Sequence, residues 1–170
     1  MSLEHADSLV IGEAEEVWPR LLEDFAGGRL RSIYEAVHPP DLETVPTPRY
    51  DLLDLKKIGF FRSVQATRGC PFQCLFCSVA AFSKGIYRKR PVDKVIQDIR
   101  AAKKTGSRYI VFLDDNLFFD PEYGRALCEA LIPERIIWLS SCSLHIAEDP
   151  ELLELAHRSG CRLLSIGLES

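Results

Sequence analysis

Three of the six cysteines, Cys70, Cys74 and Cys77, form a C-x3-C-x2-C run, while Cys128, Cys142 and Cys161 stand singly. Short spacings let thiolates from one loop converge on a single centre, and Gly69 and Pro71 suit the tight backbone path such a loop takes. A structural zinc ion wants four protein ligands in a tetrahedron, and no fourth cysteine or histidine lies nearby in sequence. An iron–sulfur cluster held by three thiolates leaves one iron open to a substrate or cofactor, which gives the shortfall a use. Phe72 and Phe76 could shield such a cluster from water, and Arg68 and Lys84 could offset its negative charge. Zinc completed by a distant partner such as Cys161 or His157 is the alternative, in a binding or scaffold module, and a fold without metal is a third reading. A disulfide framework is disfavoured by the uneven spacing and by an opening stretch with no exporting signal.

The elements that must position this loop follow from periodicity. Residues 60–67 read as a strand directly before the cysteines. After the loop, Val92, Val95, Ile96, Ile99 and Ala102 mark one face of a helix that Gly106 ends. Residues 109–113 are an unbroken apolar run, as in a strand buried on both faces, and end on Asp114, Asp115 and Asn116. Asp120 with Pro121, and again Asp149 with Pro150, signal helix starts, each followed by a strand, at 136–139 and 161–168. Strands alternating with single amphipathic helices make parallel βαβ units, so the expected fold is α/β: an open layer or part of a parallel β/α barrel, with about four units. The last strand has no helix to cover it, which suggests a barrel that has been cut.

Upstream, residues 8–12, 13–25 and 30–34 read as strand, helix and strand, too little to cover its own sheet, so they look like the tail of a preceding α/β domain. Pro39, Pro40, Pro46 and Pro48 then favour an extended linker. The expected division is a domain remnant over 1–37, a linker over 38–56 and the barrel portion over 57–170.

Composition bounds the partners. Of 170 residues, 46% are apolar and 27% charged, the balance of a chain able to bury a core and not of a disordered one. Twenty-five acidic against 21 basic side chains leave a net charge of −4, so no global positive field attracts nucleic acid or an anionic bilayer. No apolar run approaches the ~18 to 20 residues of a membrane helix, and the expected compartment is the cytoplasm.

The Cys70, Cys74, Cys77 spacing, the aromatic Phe76 before the third cysteine and the placement after the first strand of a β/α repeat resemble the radical S-adenosylmethionine superfamily. More narrowly, Ile11-Gly12-Glu13-Ala14-Glu15, Thr67-Arg68-Gly69-Cys70-Pro71-Phe72, Arg88-Lys89-Arg90-Pro91, Phe112-Leu113-Asp114-Asp115-Asn116 and Ile166-Gly167-Leu168-Glu169-Ser170 resemble its members that carry an amino-terminal cobalamin-binding domain. The resemblance implies a [4Fe-4S] cluster on Cys70, Cys74 and Cys77, with the amino and carboxylate groups of S-adenosylmethionine on the open iron. It implies reductive cleavage of that cofactor to methionine and a 5′-deoxyadenosyl radical, and cobalamin-dependent methyl transfer in a longer parent. Phe76, Asp114, Asp115, Asn116, Ser141, Gly167 and Glu169 are the positions it assigns to the cofactor: polar groups for the amine, a serine for the ribose, a glycine for the adenine. A small-molecule or lipid-like substrate and a reductant such as flavodoxin or ferredoxin are implied as well.

Two departures accompany it. The D-x-H-x-x-G loop that ligates cobalt in those relatives is not in this sequence, so cobalamin is expected only through an amino-terminal domain outside it. Four countable strands fall short of the family's six β/α units, so turnover by this chain by itself is not expected. Arg88 and Arg90 read equally as an anion clamp or a solvated loop, Cys128, Cys142 and Cys161 as small core residues, the four histidines as polar surface, and Trp18 and Trp138 as packing residues.

Overall fold

The computed structural model describes residues 4–168. It divides into two compact units, Met1–Val45 and Pro46–Ser170. In the first, β1 (Leu9–Ile11) and β2 (Ile33–Glu35) pair in parallel across α1 (Trp18–Ala26). Tyr34 is the buried anchor of β2, and its hydroxyl donates to Asp24 Oδ2 at 2.9 Å. No residue of α1 is buried. Trp18 is 50% and Phe25 68% exposed, so Trp18 is not the packing residue its type suggests; α1 has one side on the β1–β2 pair, and a βαβ unit needs a further layer to receive the other.

The second unit begins inside the proline-rich stretch. Tyr50, in the 3-10 turn Tyr50–Leu52, is buried and donates its hydroxyl to the Ser63 carbonyl at 2.7 Å, while Thr47 donates to Asp98 Oδ1 at 2.6 Å. Part of the expected linker is therefore packed: prolines discourage regular structure but leave side chains such as Tyr50 free to find a core.

Its elements follow in order: β3 (Phe61–Val64), β4 (Thr67–Arg68), α2 (Ser78–Ser83), β5 (Arg88–Lys89), α3 (Val92–Lys103), β6 (Tyr109–Phe112), α4 (Pro121–Leu131), β7 (Ile137–Cys142), α5 (Pro150–Arg158) and β8 (Cys161–Ile166). The main sheet is parallel with strand order β3-β6-β7-β8, the arrangement expected from the alternation of strands and helices. Asp120 and Asp149 cap α4 and α5 as their sequence signals require, accepting from the Tyr123 and Leu152 amides at 3.0 Å.

Burial alternates strictly along β3, β6 and β7. Val64, Ile110, Phe112 and Trp138 form one core with Val95 and Ile99 of α3, Leu127 and Leu131 of α4, and Leu152 and Ala156 of α5. Trp138, 1% exposed, donates its indole N–H to the Ser159 carbonyl at 3.2 Å. The opposite face, with Phe61, Tyr109, Val111, Leu139 and Leu163, stays half-buried or exposed, as the inner face of a partial barrel must.

One expected strand is split. Residues 60–67 do not run on: β3 ends at Val64, and Thr67 and Arg68 turn to pair antiparallel with Lys89 and Arg88. This two-rung ladder closes the base of the loop that carries the cysteines. Two-residue strands have too few positions to show a period, so only coordinates reveal them.

Candidate functional site

The cysteine loop opens at Gly69, whose φ of +82° is the left-handed geometry that favours glycine. A methyl group there would overlap the Ile86 carbonyl, because the two arms of the loop approach closely above the ladder. Cys77 precedes α2, whose first four residues are Ser78, Val79, Ala80 and Ala81, and Lys84 ends it in a left-handed conformation. Cys74 is exposed and Cys70 and Cys77 are partly so; all three are free thiols.

The loop stands at the carboxyl edge of the parallel sheet, where β/α folds collect ligands. A cavity of about 450 Å³ lies there, bounded by Cys70 and Cys77 on the loop side and by Asp115, Ser141 and Ser165 among its polar walls. Val111 and Leu139 of the sheet's half-buried face form part of its floor. A second hollow of about 410 Å³ on the loop has Cys74, Cys77 and Lys84 in its wall, so the cation expected to offset a cluster's charge lines the same hollow as two of the three cysteines.

Asp114, Asp115 and Asn116 leave β6 one after another. Asp114, 3% exposed, turns its carboxylate to the chain entering the loop: it accepts from the Ala66 amide at 3.2 Å, the Thr67 amide at 2.5 Å and the Thr67 hydroxyl at 2.6 Å. Burial pushes its carboxyl up to about 7, against the pull of those donors. Asp115 Oδ2 accepts from the Gly69 amide at 3.2 Å. Asn116, 2% exposed, directs Nδ2 at Cys70 Sγ, 4.0 Å away, and accepts from the Ser143 amide at 3.0 Å.

The remaining positions fall as follows. Ser141 is on the cavity wall, and Gly167 is exposed immediately beyond β8. Glu169 lies outside the described residues. Phe76 is 71% exposed, whereas Phe72 packs edge-on against Phe119 and stacks on His145 with ring centroids 5.5 Å apart. His145 is thus an aromatic partner of the loop and not only polar surface. Arg90 is no anion clamp: it is 5% exposed, with Nε 3.0 Å from Asp98 Oδ2. Cys128, Cys142 and Cys161 are buried, as their isolated positions suggested.

Ser165 was not singled out by sequence. It pairs in register with Ser141, and strand parity places it on the same face as Gly167 two residues on, which is the signal that could have found it.

The residues fit a three-thiolate centre in donor chemistry and in their spacing along one loop. Three free thiols come from one loop, two of them border the same cavity as Asp115 just past β6 and serines of β7 and β8, and the Asn116 amide nitrogen lies 4.0 Å from the Cys70 sulfur. Among the described residues no three His, Cys, Asp or Glu side chains already surround one metal-sized point. The loop groups the sulfurs along the backbone, and assembly of a centre has to draw them together, as metal binding commonly does.

A parallel β/α sheet with a cysteine-bearing loop after its first strand defines a class, and comparison with known proteins agrees. Residues 64–170 match the radical SAM superfamily, and the chain belongs to it. The chain is 34% identical to bacteriochlorophyllide d C-12(1)-methyltransferase of Chlorobaculum tepidum, covering 98% of this chain and 38% of that protein. It is 27% identical to hopanoid C-3 methylase of Methylococcus capsulatus, covering 96% of this chain and 35% of that protein. Anaerobic magnesium-protoporphyrin IX monomethyl ester cyclase of Synechocystis is also 27% identical, with 96% of this chain and 37% of that protein covered. The chain therefore spans well under half the length of these relatives. In fold it is similar to the radical S-adenosylmethionine methyltransferase TsrM of Kitasatospora setae, solved with cobalamin and a [4Fe-4S] cluster, at a TM-score of 0.57 and 18% identity over 64% of this chain and 22% of that one. The fold is thus the partial parallel barrel of the radical SAM type.

Proposed function

We propose that this chain is the cluster-bearing part of a radical S-adenosylmethionine enzyme whose whole protein methylates or rearranges a small-molecule or lipid-like substrate. Cys70, Cys74 and Cys77 would hold a [4Fe-4S] cluster. Such a cluster, held there, would supply one-electron reducing chemistry for cleavage of S-adenosylmethionine to methionine and a 5′-deoxyadenosyl group, the route to removing a hydrogen atom from an unactivated carbon. The observation that carries this reading is the shared cavity: Cys70 and Cys77 border the same space as Asp115, Ser141 and Ser165 at the carboxyl edge of the sheet.

The chain's own residues would do the binding and orienting. Asp115, on the cavity wall, would border the amine of the cofactor, Ser141 and Ser165 would present hydroxyls to its ribose, and Gly167, with Glu169 beyond it, would leave room for the adenine, while Asn116 would act through Cys70. Asp114 would act from behind, through Thr67. Lys84, at the hollow shared by Cys74 and Cys77, would offset negative charge on the sulfurs. The relatives named as methyltransferases and the cobalamin-bound TsrM support methyl transfer, with cobalamin held by a domain outside this chain. A flavodoxin or ferredoxin would supply the electron, in the reducing cytoplasm that keeps such thiols free. Among the described residues no helix is long and apolar enough to cross a membrane.

Anaerobic reconstitution with iron and sulfide tests the reading. The wild-type chain is expected to turn brown and to bind iron and sulfide, and Cys70→Ala, Cys74→Ala and Cys77→Ala each to lose most of that iron. Iron content unchanged in the three variants, or stoichiometric zinc with no visible absorbance, would overturn it.

A further inference from the structure

The chain enters the cysteine loop through Ala66, Thr67, Gly69 and Cys70, and each of these is held by one of three consecutive residues after β6. The register explains how. Val64 pairs with Phe112, so the two segments leave the sheet side by side and their successors stay within hydrogen-bonding reach. Asp114 takes the Ala66 and Thr67 amides and the Thr67 hydroxyl, Asp115 takes the Gly69 amide, and Asn116 reaches the Cys70 sulfur while Ser143 fixes its carbonyl end. Asp114 and Asn116 are 3% and 2% exposed, so burying them is tolerable only because they are so fully engaged.

The geometry points to a clasp: the Asp114-Asp115-Asn116 triplet is a set of positioning residues that orders the first arm of the cysteine loop, and Asn116 donates a hydrogen bond to the Cys70 sulfur. Its consequence for a bound cluster rests on the reading of Cys70 as a ligand. An N–H donated to a ligating sulfur stabilises the added negative charge of the reduced cluster, and so raises its potential. The two acidic residues thereby act through the backbone, whatever else Asp115 contacts from the cavity side.

Residue-resolved hydrogen exchange on the metal-free chain tests the clasp, with the Ile110 amide in the sheet as reference. Asp114→Asn is expected to speed exchange at Thr67, and Asp115→Ala at Gly69, each by about tenfold with Ile110 unchanged. Unchanged exchange at both amides overturns the clasp; Asp115 makes an exposed bond, so its variant decides the matter even if the buried Asp114 variant does not fold. In the same metal-free protein Cys70→Ser is expected to move the Asn116 side-chain amide resonance, and an unmoved resonance overturns the sulfur contact. On the reconstituted chain, Asn116→Ala and Asn116→Asp are expected to shift the cluster midpoint potential negative, and a wild-type potential in both overturns the tuning role. A wild-type chain that takes up no iron would sink the proposed function, while the two metal-free measurements would still decide the clasp.

Discussion

Asp114 shows how one buried carboxyl can couple the site to pH. Burial raises it to about 7 from the ordinary 3.8, so its neutral form is favoured in the folded chain. The stabilisation this brings is fully present below the unfolded value of 3.8 and is lost as pH rises through about 7. Wild type is therefore expected to lose a few kcal/mol of unfolding free energy between those limits, and Asp114→Asn to lose much less, as urea titrations at pH values on either side of 7 will show. A slope of equal size in both proteins would refute the assignment. The sequence makes this residue legible as polar and as the carboxyl end of a strand. It does not reveal that the carboxylate faces Thr67, because that depends on which strand lies beside β6 and in what register.

At the scale of elements, the junction of β5 with α3 is fastened by a buried ion pair. Arg90 and Asp98 side chains are each 6% exposed, Thr47 donates to the same carboxylate, and the Tyr123 hydroxyl donates to the Arg90 carbonyl at 2.7 Å. Removing one partner leaves a charge stranded in the core, so Asp98→Ala is expected to cost about 3 to 5 kcal/mol, read as a lower denaturant midpoint; a cost near zero would show the pair to be solvated. The apolar stripe of α3 was legible because Val95, Ile96 and Ile99 recur at helical spacing. The pairing was not. Asp98 sits on the same buried stripe, yet sequence shows neither its exposure nor that Arg90 folds back on it. The same limit explains Trp18: its type promises burial, but only a second layer could supply it.

For the molecule as a whole, the order β3-β6-β7-β8 follows from alternating strands and helices together with right-handed crossovers, and so was open to sequence reasoning. The cysteine loop was legible for another reason, since ligand spacing is local and needs no tertiary knowledge. What escaped was the antiparallel rung pair beneath the loop and the packing of Tyr50, both set by contacts far apart in sequence. The six cysteines also separate into two populations. Cys128, Cys142 and Cys161 are buried, with thiols pushed up by burial to about 12, 11 and 11, whereas Cys70, Cys74 and Cys77 meet solvent. A chromogenic thiol reagent at neutral pH should therefore stop at three equivalents on the native chain and reach six in denaturant. The protein thus carries its own gauge of intactness: a native count above three betrays a breached interior, and one below three betrays a loop already oxidised.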